Sequence, residues 1–557
     1  MDRSGILGGD RIGGAPFAGR STVWGSQGAA ATAHPLATLT AIDILRAGGS
    51  AVDAAIAANA MLGLVEPISC GIGGDVFALL WDPKAGEVVG LNGSGRSPRA
   101  LSLEEHRRRA VAGLVWPRGA ISVSTPGAVE GWGRLHQRYG KLPWRSLFEP
   151  AIEAARAGVP VPQTIALVWQ ENVALLLADT RVEETDNLRR VYAPGGTTPR
   201  EGTLFRNPDL GRTYRLIADG GVAAFYEGEI ARTIEAYFKR IGGWMTREDL
   251  AGHRSDWTTP LRTTYRGVEV HGLAPNTQGL ATLQMLNILE RFELRDMGFQ
   301  SAQSLHHQAE AKRLAFEDRA RFYADPAFAE VPIDWLNSKA YAAERAALIR
   351  PDRLIDSITP GRAPGHGDTT YLCAADRDGM MVSLIQSNFR GMGSGLAPDG
   401  LGFMFQNRGE LFNLTDGHPN LYAPGKRPFH TIIPGFAVKD GAPWLAFGVM
   451  GGDMQPQGQA QIIVNLVDYG LGLQEAGDSP RWRHEGSSTP TGSAARGQGV
   501  LHLEDGVPDA TRAGLAALGW TLGATDGGFG GYQAVARGPG VYAAASEMRK
   551  DGLALAY

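Results

Sequence analysis

Cysteine is nearly absent: the 557 residues hold two, Cys70 and Cys373. Two cannot build a disulfide framework, so the fold needs no oxidising compartment. No run of 18 apolar residues occurs, which removes any candidate transmembrane helix. The first thirty residues are broken by charge and glycine every few positions and lack the apolar stretch of a signal peptide. A formal charge of −4 provides no basic field for nucleic acid or an anionic membrane. These absences predict a cytoplasmic protein with neither a nucleic-acid nor a membrane partner.

Several chemical signatures are missing too. There is no GxxxxGK[ST] phosphate loop, and Gly391-Met392-Gly393-Ser394-Gly395 opens no predicted helix and lacks the third spaced glycine of a dinucleotide fingerprint. No GxSxG elbow precedes a helix, which argues against an α/β-hydrolase. His306, His307 and Glu310 share a predicted helix face, but no HExxH or comparable motif accompanies them, so no metal is expected. No cofactor is expected either.

What is abundant is glycine, 75 of 557 residues, about twice the usual share of roughly 7%. That implies many tight turns or close backbone approaches. Apolar residues at 43% and charged residues at 20% describe a globular chain long enough for two to four domains or one large two-layer body. Leu36, Leu39, Ile42 and Leu45 recur at helical spacing between Pro35 and Gly48-Gly49, which predicts a helix over 35–47. Ser50 and Asp53 form a capping-box pattern opening an alanine-rich helix to about Leu64. Val76–Trp81 reads as a strand. The middle of the chain, about 100–350, reads mostly helical, with helices expected at 145–157, 228–240, 276–293 and 301–323. Residues 1–20 read as a flexible lead-in, and residues from about 351 to 368, rich in Pro and Gly, as a mobile segment.

Directly after that segment, residues 369–375 and 381–386 read as a buried hairpin joined at Asp376–Gly379. Thr369 sits at its first position. A threonine hydroxyl is a poor nucleophile without a base beside it, and one source of that base is the residue's own α-amino group after the preceding peptide bond is cut. Such a group has a pKa of about 7.7–8.0 and accepts a proton near neutrality. Cys373, two strand repeats further on, has no base among its neighbours and is expected to be a buried small apolar residue.

The chain resembles the γ-glutamyltransferase (glutathione hydrolase) family of N-terminal-nucleophile hydrolases over nearly its whole length. The resemblance rests on Gly48–Ala55, Gly71–Gly74, Arg96 before Pro98, Tyr139–Trp144, Glu310-Ala311-Lys312 with Asp318-Arg319, Gly367–Thr370, Lys426-Arg427-Pro428 and Gly451-Gly452. It implies an α+β fold, a four-layer αββα sandwich made as one precursor and self-processed into two chains. The large subunit would span 21–368 and the small subunit 369–557. It further implies Thr369 as nucleophile, Ser387 as a hydroxyl contacting it, and Gly451 and Gly452 as oxyanion-hole donors. Arg96 would clamp a substrate carboxylate, with Asn388, Arg408, Glu410, His430 and Thr431 completing the substrate site.

The pattern departs from the family in that site. His430-Thr431 replace a Ser-Ser pair, Leu411 stands where an aspartate that holds the γ-glutamyl ammonium is expected, and Arg408 replaces a neutral glutamine. The pocket loses a negative charge and gains a positive one, unless Glu410 turns inward. Such a pocket suits an acyl group bearing a carboxylate but no ammonium. The connection from Phe412 to Lys426 is short, which predicts an open site. These features resemble the branch containing cephalosporin-type acylases and oxamate amidohydrolase. The expected activity is hydrolysis of a small-molecule amide through an acyl-enzyme. True γ-glutamyl hydrolysis or transfer, on glutathione or γ-glutamyl amides, and an unprocessed non-catalytic scaffold are the alternatives. Oligomerisation beyond the two processed chains stays open.

Overall fold

A computed structural model describes residues 14–15, 17–356, 358, 368–525 and 527–557, except for the side chains of Asp368 and Thr369. The lead-in expected for 1–20 lies largely outside the described residues. Its last part is docked: the Ala15 and Gly19 amides donate to Glu475 and Asp478 at 2.6 and 2.8 Å. The segment expected to be mobile from about 351 lies outside them from 359 to 367. Before that, Leu354 and Ile355 are buried, and the Ile355 amide donates to Glu310 at 3.2 Å.

Two seven-stranded antiparallel sheets form the centre. The predicted hairpin, Asp368–Ala375 and Met381–Phe389, lies in the middle of one. Ala29–Thr32 and Leu553–Ala556 continue that sheet on one side, and Asp75–Asp82, Glu87–Gly93 and Asp256–Thr258 on the other. The second sheet runs from Val23–Gly25 through Val541–Ser546, Tyr532–Gly538, Ala442–Val449, Gly435–Lys439 and Val268–Gly272 to Leu261–Tyr265. The last two strands interrupt the mainly helical stretch read from sequence. They are only five residues each, joined by a tight turn at Arg266-Gly267, too short for a clear period-two signal.

Alternation along one strand shows how the layers stack. Tyr371, Cys373 and Ala375 point between the sheets, packing with Phe436, Ala446 and Val535. Leu372 and Ala374 point the other way, into a core shared with the helices Pro35–Arg46 and Ala51–Val65. The outer face of the second sheet packs on the helices Gly279–Leu289, Ala302–Phe322 and Met454–Val467. The order is therefore helix, sheet, sheet, helix. Strands buried on both faces lose the polar alternation of a surface sheet and read as apolar runs.

Local signals hold where the chain is self-sufficient. Pro35 occupies the first turn of its helix, and Ser50 and Asp53 form the expected capping box. The Asp53 carboxylate also accepts the Lys141 and Leu142 amides at 2.8 and 3.1 Å, tying the helix to a distant loop. The expected helix at 276–293 is shorter, Gly279–Leu289, because Thr277 and Gln278 bond into the core instead. His306, His307 and Glu310 face separate partners: the Arg350 carbonyl, the Gln303 carbonyl and Arg313.

Candidate active site

The site forms at the N-terminal end of the strand Asp368–Ala375. Asp368 pairs with Phe389 and Thr370 with Gln386, so the ladder slips between them and Thr369 sits at a bulge facing Ser387 and Asn388. Bulges re-aim backbone and side chains and recur beside active sites. The Thr369 side chain lies outside the described residues. Its neighbour Thr370 is fully buried and donates its hydroxyl to Glu66, which also accepts the Ser69 hydroxyl at 3.0 Å. Glu66 caps the C-terminal end of the helix Ala51–Val65 and so fixes the start of the strand to the helical layer.

Ser387 accepts the Phe389 amide through its hydroxyl oxygen at 2.7 Å and stands opposite Asp75 on the neighbouring strand. Asn388 is buried, and among the described residues neither amide atom of its side chain has a partner. Beyond them Phe389 stacks under the Arg408 guanidinium, 4.4 Å from its ring centroid. Arg408 is fully buried and donates to the Thr431 hydroxyl at 2.7 Å, while its Nε and Nη2 find no partner among the described residues.

A buried polar set lies beneath. Asp75 accepts the Gly95 amide at 2.9 Å, Gln406 Nε2 at 2.8 Å and His430 Nε2 at 3.0 Å. Burial pushes Asp75 up to about 7, against the pull of Arg408. Burial lowers Arg408 to about 9, with Asp75 and Glu410 holding it up. His430 is pushed well below its ordinary value by burial and by Arg408, so it is neutral; its Nδ1 accepts the Ile432 amide and its Nε2–H donates to Asp75. His430 thus supports Asp75 from below the pocket.

Gly451 and Gly452 follow the strand Ala442–Val449 and precede the helix Met454–Val467. Their φ values of 112° and 57° lie where a side chain is strained. A Cβ on Gly451 would also come within 3.2 Å of the Gly530 Cα. Gln278 Nε2 ties the loop down, donating to the Gly452 and Thr431 carbonyls at 2.9 and 2.6 Å. Arg319, fully buried, bridges Gln278 and Asp453 at 2.5 and 2.6 Å.

Two cavities meet here. The first, about 400 Å³, is lined by Gly451, Asp453, Arg390, Arg118, Lys312 and Ser487 among others. The second, about 230 Å³, is lined by Leu411, Thr431, Glu410, Phe429, Trp116 and again Arg390 and Asp453. Arg390, which sequence reasoning missed, therefore stands on the shared wall. Its signal was an arginine placed directly after a nine-residue buried strand. Glu410 does not point alone into the pocket: its carboxylate grips Arg390 at 2.7–2.8 Å and accepts Asn407 Nδ2 at 2.9 Å. None of residues 413–426 lines either cavity; that loop closes on itself, with Lys426 bonded to the Pro419 and Leu421 carbonyls.

Arg96 is not brought to this cluster. It stands half-exposed 3.8 Å from Asp256, donates to the Arg254 carbonyl at 3.4 Å, and lines neither cavity. Cys373 is fully buried between the sheets, where burial pushes its thiol up.

A family model described as gamma-glutamyltranspeptidase matches residues 37–557. The chain belongs to the gamma-glutamyltranspeptidase family. It is 35% identical over 461 residues to the glutathione hydrolase-like YwrD proenzyme of Bacillus subtilis, covering 83% of this chain and 86% of that one. To the oxamate amidohydrolase proenzyme of Klebsiella pneumoniae it is 32% identical over 546 residues, 96% and 99% of the two chains. The crystal structure of a cephalosporin acylase from Bacillus halodurans superposes with a TM-score of 0.90 at 38% identity, covering 99% of each chain. This family member is therefore an enzyme, an N-terminal-nucleophile hydrolase with the αββα architecture expected of it. Its relatives include the acylase and oxamate amidohydrolase branch that the pocket residues suggested.

Proposed function

We propose that this chain is a self-processing N-terminal-threonine amidohydrolase that cleaves amides of carboxylate-bearing acyl groups. Processing begins when Thr369 Oγ attacks the Asp368 carbonyl carbon. The peptide nitrogen leaves as the new α-amino group, and water hydrolyses the resulting ester, ending the large chain at Asp368. The freed amine, with an ordinary pKa of about 7.7–8.0, then takes the proton from Thr369 Oγ as that oxygen attacks the substrate amide. The Gly451 and Gly452 amides meet the developing oxyanion; one such donor is typically worth about 10²–10³ in rate. The leaving amine departs protonated, and water resolves the acyl-enzyme.

The observation that carries the substrate class is the charge of the pocket. Arg118, Arg390, Arg483 and Lys312 line the first cavity against two carboxylates, Asp453 and Glu485, while Glu410 in the second is already engaged by Arg390. Asp453 is matched by Arg319, and Leu411 gives the second cavity an apolar wall. An acyl group with a terminal carboxylate satisfies this excess of cations, whereas an added ammonium does not. The test is a panel of p-nitroanilides: glutaryl, succinyl and oxalyl derivatives should be turned over faster than γ-glutamyl. Preference for the γ-glutamyl compound would overturn the substrate class and favour glutathione-type chemistry.

A further inference from the structure

We propose that Arg390 is the residue that binds the acyl carboxylate, oriented for that task by Glu410. The inference rests on the amidohydrolase reading above and names the group that would carry its specificity. Arg96, the sequence candidate for a carboxylate clamp, lines neither cavity, so the role needs another occupant.

A guanidinium has five N–H donors arranged on a plane, and a carboxylate fits one edge of it through two parallel bonds. Glu410 occupies the Nε side of Arg390: Nε lies 2.8 and 2.7 Å from its two oxygens, and Nη2 2.7 Å from Oε1. The other edge, between Nη1 and Nη2, has no hydrogen-bond partner among the described residues. That free edge belongs to a side chain only 27% exposed, on the wall shared by both cavities. It is thus sheltered from bulk water but open to a ligand.

Its position fits the reaction. Arg390 follows Phe389, the ladder partner of Asp368, so its backbone is within a few residues of the scissile bond. The first cavity presents Arg390 together with Gly451. The loop bearing Arg390 is held in turn by Arg118, which donates to the Gly391 carbonyl at 3.1 Å and to the Gly393 carbonyl. Asn407 adds a further bond to Glu410, so the pair has little freedom to rotate. A short dicarboxylic acyl group, ester-linked to Thr369 at one end, would place its other end on the open Arg390 edge.

The experiment compares Arg390→Gln and Arg390→Lys with the parent enzyme on glutaryl-p-nitroanilide and on butyryl-p-nitroanilide, which lacks the terminal carboxylate. Losing a charge-assisted bidentate contact should lower kcat/KM for the glutaryl substrate by about 10–100-fold, mainly through KM. The butyryl rate should change less than about threefold, and Lys should recover part of the loss. Equal losses on both substrates, or no loss on glutaryl, would overturn the proposal. Glu410→Gln should raise the glutaryl KM with kcat nearly unchanged. Should the parent enzyme prefer γ-glutamyl, the amidohydrolase reading fails but Arg390 does not: the γ-glutamyl and 4-aminobutyryl p-nitroanilides then form the same with-and-without pair. A second measurement needs no variant. Phenylglyoxal should modify Arg390 in the parent enzyme, and glutarate should protect it in peptide mass maps; modification unaffected by glutarate, or protection of a different arginine, would overturn the assignment.

Discussion

At the residue scale, the pocket is legible only in part from residue types. Leu411, Arg408, Glu410, His430 and Thr431 were found in order along the chain, but their directions were not. Glu410 turns to Arg390 and His430 to Asp75, because each buried charge or ring must find a partner in three dimensions. Leu411 lines the second cavity, so Leu411→Asp should place a carboxylate there and raise kcat/KM on γ-glutamyl-p-nitroanilide; an unchanged ratio to the glutaryl substrate would contradict that placement. Asp75 offers a pH test. Its folded pKa of about 7 exceeds its ordinary value of 3.8, so between those values the folded state holds a proton that the unfolded chain releases. Stability from this group is therefore full below about pH 4 and is lost as pH rises through 7, on the order of 4 kcal/mol at about 1.4 kcal/mol per unit. Thermal melts of the parent and Asp75→Asn proteins should diverge, the parent losing more between pH 5 and pH 8. Parallel curves would remove the shift.

At the element scale, the best sequence readings were those whose bonds close within a few residues. The capping box of Ser50 and Asp53 needs only its own first turn, and it forms. What local reasoning could not foresee is that Asp53 also accepts two amides from residues 141 and 142. Ser50→Ala should cost about 1 kcal/mol. Asp53→Ala leaves three donors without an acceptor, Ser50 included, and should cost about 3 kcal/mol or more; urea titration compares the two. Helix 276–293 was overextended for the complementary reason: Gln278 is drawn out of the helical run to bond Thr431, Gly452 and Arg319. Gln278 would be unremarkable in any window of sequence, yet it joins three parts of the site.

At the scale of the whole molecule, chain scission at Thr369 need not separate the parts. The strand 368–375 lies between 29–32 and 381–389, and 553–556 lies on the far side of 29–32. Strands of the two prospective subunits thus alternate within one sheet. Denaturing electrophoresis should show two bands, the smaller beginning at Thr369, while gel filtration under native conditions should show one species. Thr369→Ala should leave a single full-length band without amidase activity. The chain's residue order alone determined the family and, through that resemblance, the layered class, because glycine turns and spaced motifs survive as linear strings. The tertiary structure alone decided which arginine meets the cavities and which stays on the surface. Arg96 and Arg390 are chemically identical side chains, and only the packing around each determines which of them stands sheltered on the wall of both cavities.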